Sequence, residues 1–238
     1  MKTFRAIHRL LVDHLFYPIT LSSLLAIGIY AGRVIYSWNW VIYRNLVWNL
    51  ILAWLPYLFS LLAVWLYQAK PANWWRLLIP SGLWLIFFPN APYIITDFFH
   101  LVARPPVPLW YDIVLLVAFT WTGLVLGLTS LRAIHLIVEN YLGRFLGWCF
   151  STFSLALGGL GIYLGRFARW NSWDLLQQPK QILKDIIMPL LNPLSNLRFF
   201  GFILIFTALL VVCYITFIST QRIEPSKEAK EQYSKGRV

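Results

Sequence analysis

Long apolar runs separated by short polar clusters dominate this chain. Stretches rich in Leu, Ile, Phe and Trp extend from Leu15 to Tyr36, Leu46 to Tyr67, Leu77 to Thr96, Leu109 to Leu131, Phe145 to Leu164 and Phe199 to Thr220. About 20 apolar residues in a helix cross the roughly 30 Å hydrocarbon layer, so each run is a predicted transmembrane span. Membrane strands would instead alternate apolar with polar residues in short segments, and these runs are continuous. The predicted fold is therefore all-α, a polytopic transmembrane helix bundle of about six spans.

The third run is interrupted by Pro89-Asn90-Ala91-Pro92. Proline lacks an N–H and clashes with the preceding turn, which predicts that the helix stops near Phe88. Asn90 is then expected to cap a second helix with Pro92 in its first turn. Along that helix Tyr93, Asp97, His100 and Arg104 recur at steps of four, three and four, a single polar stripe. A broken helix at membrane depth is tolerated where its freed backbone groups are buried in protein or line a cavity.

With six crossings, the loops after spans three and five emerge on one side. Three polar clusters gather there: Asn90 to His100, Trp110 to Asp112, and Arg166 to Asp174. Residues 1–14 form a basic amphipathic N-terminal segment, 15–220 the transmembrane domain, and 221–238 a charged tail expected to be disordered. Between spans five and six, Ile182, Leu183, Ile186 and Ile187 share one face beside Lys180 and Lys184, predicting an interfacial helix.

Composition agrees with this reading, since 59% hydrophobic and 12% charged residues lie far outside what a soluble domain buries. The net charge of +11 raises the question of nucleic acid. The basic residues sit in tails and short loops rather than a folded basic module, so the lipid bilayer is the expected partner and nucleic acid is not. Twelve of the 20 Lys and Arg fall on the side of the termini, which favours cytoplasmic termini. Cys149 and Cys213 lie inside predicted spans without metal spacing and are expected to be small core residues.

Candidate chemistry centres on Asn90, Tyr93, Asp97, His100, Asp112, Arg166, Arg169, Asn171 and Asp174. Asp97 and His100, three apart, present a carboxylate and an imidazole on one face, and Asp112 offers a third ligand from across the loop. That set would suit zinc or manganese. The simpler expectation is a hydrogen-bonded network without a cofactor, in which Asp97 pairs with Arg166 or Arg169. Arg166 and Arg169 interleave with Trp170 and Trp173, as membrane interfaces favour, and a guanidinium there can stack on a ring or bind phosphate. Asn171 and Asp174 signal a helix start. Gly123 and Gly127, with Gly158, Gly161 and Gly165, keep faces of spans four and five small for close packing. Nucleotide-binding loops and familiar hydrolase motifs are absent from the sequence.

Four stretches carry a resemblance: Asn49-Leu-Ile-Leu-Ala-Trp-Leu-Pro56, Phe88-Pro-Asn-Ala-Pro-Tyr-Ile-Ile-Thr-Asp97, Pro108-Leu-Trp-Tyr-Asp112 and Gly165-Arg-Phe-Ala-Arg-Trp-Asn-Ser-Trp-Asp174. From about Asn45 to Phe217 the chain resembles a bacterial membrane family filed as domain of unknown function 1361. That resemblance implies a multi-pass protein of the bacterial plasma membrane and brings no established activity.

The expected function is non-enzymatic: a small-solute or ion permease, or a membrane-assembly component with a membrane-protein partner. The alternative is a metal-dependent enzyme acting on a phosphate-bearing or lipid-linked substrate at one membrane face. Spans one, five and six are expected to carry little polarity beyond Ser and Thr. Asn49, Thr120 and Thr122 are then the modest candidates for lining a path.

Overall fold

The computed structural model describes residues 2–221. Six helical segments are long and apolar enough to cross a membrane: Phe16–Ser37, Arg44–Ala69, Trp74–His100, Leu109–Leu142, Arg144–Ala168 and Pro193–Gln221. They match the six predicted runs, with the fourth extending eleven residues beyond its expected end at Leu131. A short helix, α1 (Lys2–Asp13), precedes α2 (Phe16–Ser37) and α3 (Arg44–Ala69). Arg5 and Arg9 of α1 are exposed while Leu10 packs into the core. The charged tail beyond Gln221 lies outside the described residues.

The third span is built in pieces. Helix α4 (Leu78–Phe87) is followed by a single turn, α5 (Asn90–Tyr93), and a 3-10 helix over Ile94–His100. Neither Pro89 nor Pro92 can donate, so the backbone tightens: Ala91 N bonds Phe88 O at 3.2 Å and Tyr93 N bonds Pro89 O at 3.0 Å. Two expectations are corrected here. Asn90 does not cap a new helix, because its amide reaches backwards to Phe87 O (3.0 Å) and across to Ser172 Oγ (2.8 Å). Nor does the polar stripe reach Arg104, which lies past the end of the 3-10 helix and bridges Val107. The three-residue period of the 3-10 helix instead aligns Ile94, Asp97 and His100.

Helix α6 (Leu109–Leu142) is the centre of the bundle, packing against α2, α3, the broken segment and α7 (Arg144–Tyr163). Leu115, Leu116, Phe119 and Leu126 on it are fully buried. Its glycines receive the broken span: a Cβ on Gly123 would lie 2.5 Å from the carbonyl oxygen of Ala91. From α7, a Cβ on Gly161 would lie 2.6 Å from the ring of Pro89. The small faces predicted on spans four and five therefore have a specific occupant.

At the end of the bundle near the termini, His135 Nδ1 and Tyr214 Oη lie 2.6 Å apart, joining α6 to α10 (Leu197–Gln221). Trp84 Nε1 donates to Ser130 Oγ at 3.1 Å, joining α4 to α6. Cys149 is exposed on the outer surface, contrary to the core role expected of it, while Cys213 is half-buried. Between spans five and six, α8 (Asp174–Gln177) and α9 (Pro179–Leu191) fill the loop. Ile182 of α9 is buried, but Leu183 and Ile187 are exposed beside Lys180 and Lys184.

This topology puts the loops after spans three and five on one face, called here the far face, and the Lys70–Asn73 loop on the other. Single cysteines replacing the exposed Ala103 and Gln178 should react alike with an impermeant thiol reagent on intact cells, in a background lacking Cys149 and Cys213. A cysteine replacing Ala72 should behave oppositely; identical labelling of all three would contradict the six-span arrangement.

Candidate functional site

The far end of the bundle holds three sets of polar side chains, each assembled from different spans. The deepest is an ion pair. Arg33, in the last turns of α2, donates from Nε to Asp112 Oδ1 at 2.6 Å and from Nη2 to Oδ2 at 3.2 Å. Both side chains are completely buried. Below the pair, α2 and α6 are further joined by Ser22 and Thr122, whose hydroxyls lie 2.6 Å apart.

Sequence reasoning missed Arg33, which stands a few residues before the end of its apolar run. The available signal was the physical cost of a charge at membrane depth, which demands a partner, and Asp112 enters span four at the same membrane end. The expectation that span one carries only Ser and Thr polarity is thereby corrected. The guanidinium of Arg33 also lies 5.1 Å from the ring centre of Tyr43, and that of Arg104 lies 5.0 Å from the same ring. Burial pushes the Tyr43 phenol above its ordinary range, with the Asp112 charge adding to the effect and the two arginines opposing it. Its hydroxyl donates to His100 O at 3.4 Å.

The second set contains Asp97, buried on the 3-10 helix, which accepts from Asn49 Nδ2 of α3 at 2.9 Å. The expected pairing of Asp97 with Arg166 or Arg169 is corrected: an amide from α3 holds the carboxylate. Arg166 turns instead to His100, with Nη1 3.0 Å from Nε2, and its guanidinium sits 5.0 Å from the centre of the Phe99 ring. Arginine can only donate, so Nε2 of His100 is the acceptor in this contact.

These assignments dismantle the proposed zinc or manganese triad. Asp112 is committed to Arg33, Asp97 to Asn49 and His100 to Arg166. Among the described residues no three His, Cys, Asp or Glu side chains come together as a metal site.

The third set lines a cavity of about 530 Å³ beside the broken span. Trp48 and Asn49 of α3, Asn90 and Tyr93 of the broken segment, and Arg169 to Ser172 of the loop form its polar portion. Leu52, Leu85, Ile86 and Leu157 form much of its apolar wall. The chain reaches the rim through a π-helical turn, Leu164–Ala168, after which Arg169 adopts a left-handed φ of 60°. That reversal is held by Trp170 N donating to Leu164 O at 3.1 Å. Asp174 secures the next bend, its Oδ2 accepting from the Asn171 backbone N–H at 2.7 Å and from Nδ2 at 3.0 Å. Of the sequence candidates, Asn90, Tyr93, Arg169 and Asn171 meet at this cavity, and Asn49 connects it to Asp97. Asp112 stands apart with Arg33.

Removing one partner of the Arg33–Asp112 pair should leave an uncompensated buried charge. Asp112→Asn is expected to destabilise the protein by about 3–5 kcal/mol, read as thermal unfolding in detergent. The double variant Arg33→Met with Asp112→Leu should recover most of that loss, and equal instability of single and double variants would show that the pair is not the determinant.

The model of one protein family, described as a protein of unknown function (DUF1361), matches residues 48–213. That segment includes Asn49, the broken span, Asp112 and the Arg166–Asp174 loop, while Arg33 lies before it. No curated protein and no solved structure matches the chain. With the match covering well over half of the sequence, this chain with its six candidate membrane spans belongs to DUF1361, a family of unknown function.

Proposed function

We propose that this is a non-enzymatic protein of the bacterial plasma membrane, a membrane-assembly component that captures an amphiphile with a compact phosphate head at its far face. One observation carries the reading: Arg169 is the sole formally charged side chain lining the cavity, among the described residues, and much of the remaining wall is apolar. A guanidinium beside the Asn171 amide, which has one N–H beyond that given to Asp174, and the Ser172 hydroxyl, which accepts from Asn90 and keeps its proton to donate, suits phosphate oxygens. The leucine-rich wall suits the start of an acyl chain. At about 530 Å³ the cavity has the capacity of an ordinary small-molecule site. Trp48 at its edge is half exposed, so a chain has a way out toward lipid.

A small-solute permease is the less favoured reading. Several polar groups inside the bundle bond one another across helices, as in Trp54 Nε1 donating to Ser23 Oγ at 3.1 Å and the Ser22–Thr122 contact at 2.6 Å. Such pairs tie helices together rather than hydrate a path. The far face is assigned to the outside of the cell, with both termini cytoplasmic. Support comes from the loop cations: with Arg33 buried and paired, the far face keeps seven Lys and Arg against twelve on the face of the termini.

Binding of a short-chain phosphatidylglycerol to the purified protein in a nonionic detergent tests the proposal. Arg169→Gln should weaken it by roughly tenfold, the worth of one charge-assisted hydrogen bond, with the melting temperature of the free protein unchanged. Binding that is indifferent to Arg169, or equal affinity for an uncharged alkyl alcohol, would contradict it.

A further inference from the structure

A second cavity, of about 440 Å³, lies against the first, and Leu164 of the π-helical turn lines both. Its chemistry is the reverse. Asp185 is the one formally charged side chain in its lining among the described residues, and Tyr163 and Phe167 contribute aromatic rings. Asp185 accepts from Trp170 Nε1 on Oδ2 at 2.8 Å and makes no ion pair among the described residues. Asn196, also in the lining, donates from Nδ2 to Asn192 O at 2.9 Å, which leaves its amide oxygen as the acceptor offered to a ligand. Carboxylate, amide oxygen and aromatic rings together form an environment for an ammonium group.

The two cavities are mechanically tied. Trp170 follows Arg169 in the chain, lines the first cavity, and holds the carboxylate of the second through its indole N–H. Among the described residues, one cavity thus presents a cation without a carboxylate partner, and its neighbour presents a carboxylate without a cation. Each charge is exposed to ligand on one side of a single loop turn.

Resting on the reading of the first cavity as a phosphate site, we infer that the ligand is a zwitterionic lipid whose head group carries a phosphate and a primary amine. The phosphate meets Arg169, Asn171 and the Ser172 hydroxyl, which accepts from Asn90 and keeps its proton to donate; the ammonium, with three N–H donors, meets Asp185 and the Asn196 amide oxygen. A quaternary ammonium has no such donors and forfeits the acceptors. The acyl chains leave along the apolar wall beside Trp48.

The test uses the full-length protein in a nonionic detergent, with short-chain phosphatidylethanolamine, phosphatidylcholine and phosphatidylglycerol as probes and water-soluble O-phosphoethanolamine as the free head group. Phosphatidylethanolamine should bind roughly tenfold more tightly than either other lipid, since an ammonium held by a carboxylate and an aromatic ring contributes about that factor. Asp185→Asn should abolish the preference while leaving phosphatidylglycerol binding unchanged. Asp185 is an exposed helix residue, so the variant should melt with the parent protein. Persistence of the preference in Asp185→Asn, or equal binding of phosphatidylcholine, would overturn the amine assignment. Binding of O-phosphoethanolamine as tight as that of the lipid would overturn the lipid assignment. Arg169-dependent phosphatidylglycerol binding without any amine preference would overturn this inference alone, whereas loss of Arg169 dependence would remove the phosphate site as well.

Discussion

Two prolines within four residues impose a constraint on the third span that the neighbouring helices must absorb. Pro89 and Pro92 withhold two backbone donors at membrane depth, where an unpaired carbonyl or amide is costly. The chain answers by tightening into one α-turn and a 3-10 helix, and by approaching two glycine-bearing faces. The Ala91 carbonyl comes so near α6 that a Cβ at Gly123 would stand 2.5 Å from its oxygen, and Pro89 comes equally near Gly161 of α7. Because the segment is drawn into the bundle, Asp97 is carried to Asn49 and Asn90 to Ser172. The cavity is the space left between that displaced segment, α3 and the loop after α7.

Charge at the far face follows a division of labour. Arg33 and Asp112 neutralise each other in full burial, where neither can be tolerated alone. Asp97 is held by an amide and Arg166 by an imidazole and an aromatic ring, so both are anchored without an ion pair. Arg169 and Asp185 each line their own cavity, and neither makes an ion pair among the described residues. In the proposed reading these two are the charges offered to a ligand, and the others tie the bundle together.

The architecture was legible in the sequence because membrane thickness acts on each run locally: twenty apolar residues are a span whatever surrounds them. The break at Pro89 to Pro92 and the small faces on spans four and five were legible for similar local reasons. Partner choice was not, since it depends on the azimuth of each helix. Asp97 and Arg166 sit at the same membrane end, yet an amide on α3 is closer to the carboxylate than either arginine. Helix periodicity also misled: the stripe from Tyr93 to Arg104 presumes a 3.6-residue repeat, and the chain adopts a three-residue one. Arg33 was hidden by its nearness to the end of a run, and Asp185 by its place in an amphipathic helix where a carboxylate needs no explanation.

The account rests on the broken span being lodged against the glycine face of α6. A Cβ at Gly127 would stand 3.2 Å from the Cβ of Ala91, slightly closer than the separation in a disulfide and within the reach of a small adjustment. Replacing both residues by cysteine, in a protein lacking Cys149 and Cys213, tests the contact directly. On mild oxidation in membranes the two thiols should form an intramolecular disulfide and become inaccessible to alkylation after denaturation, with reductant restoring both. Two fully alkylated cysteines after oxidation, in a protein that still folds, would place Ala91 away from α6 and contradict the arrangement on which the cavity depends.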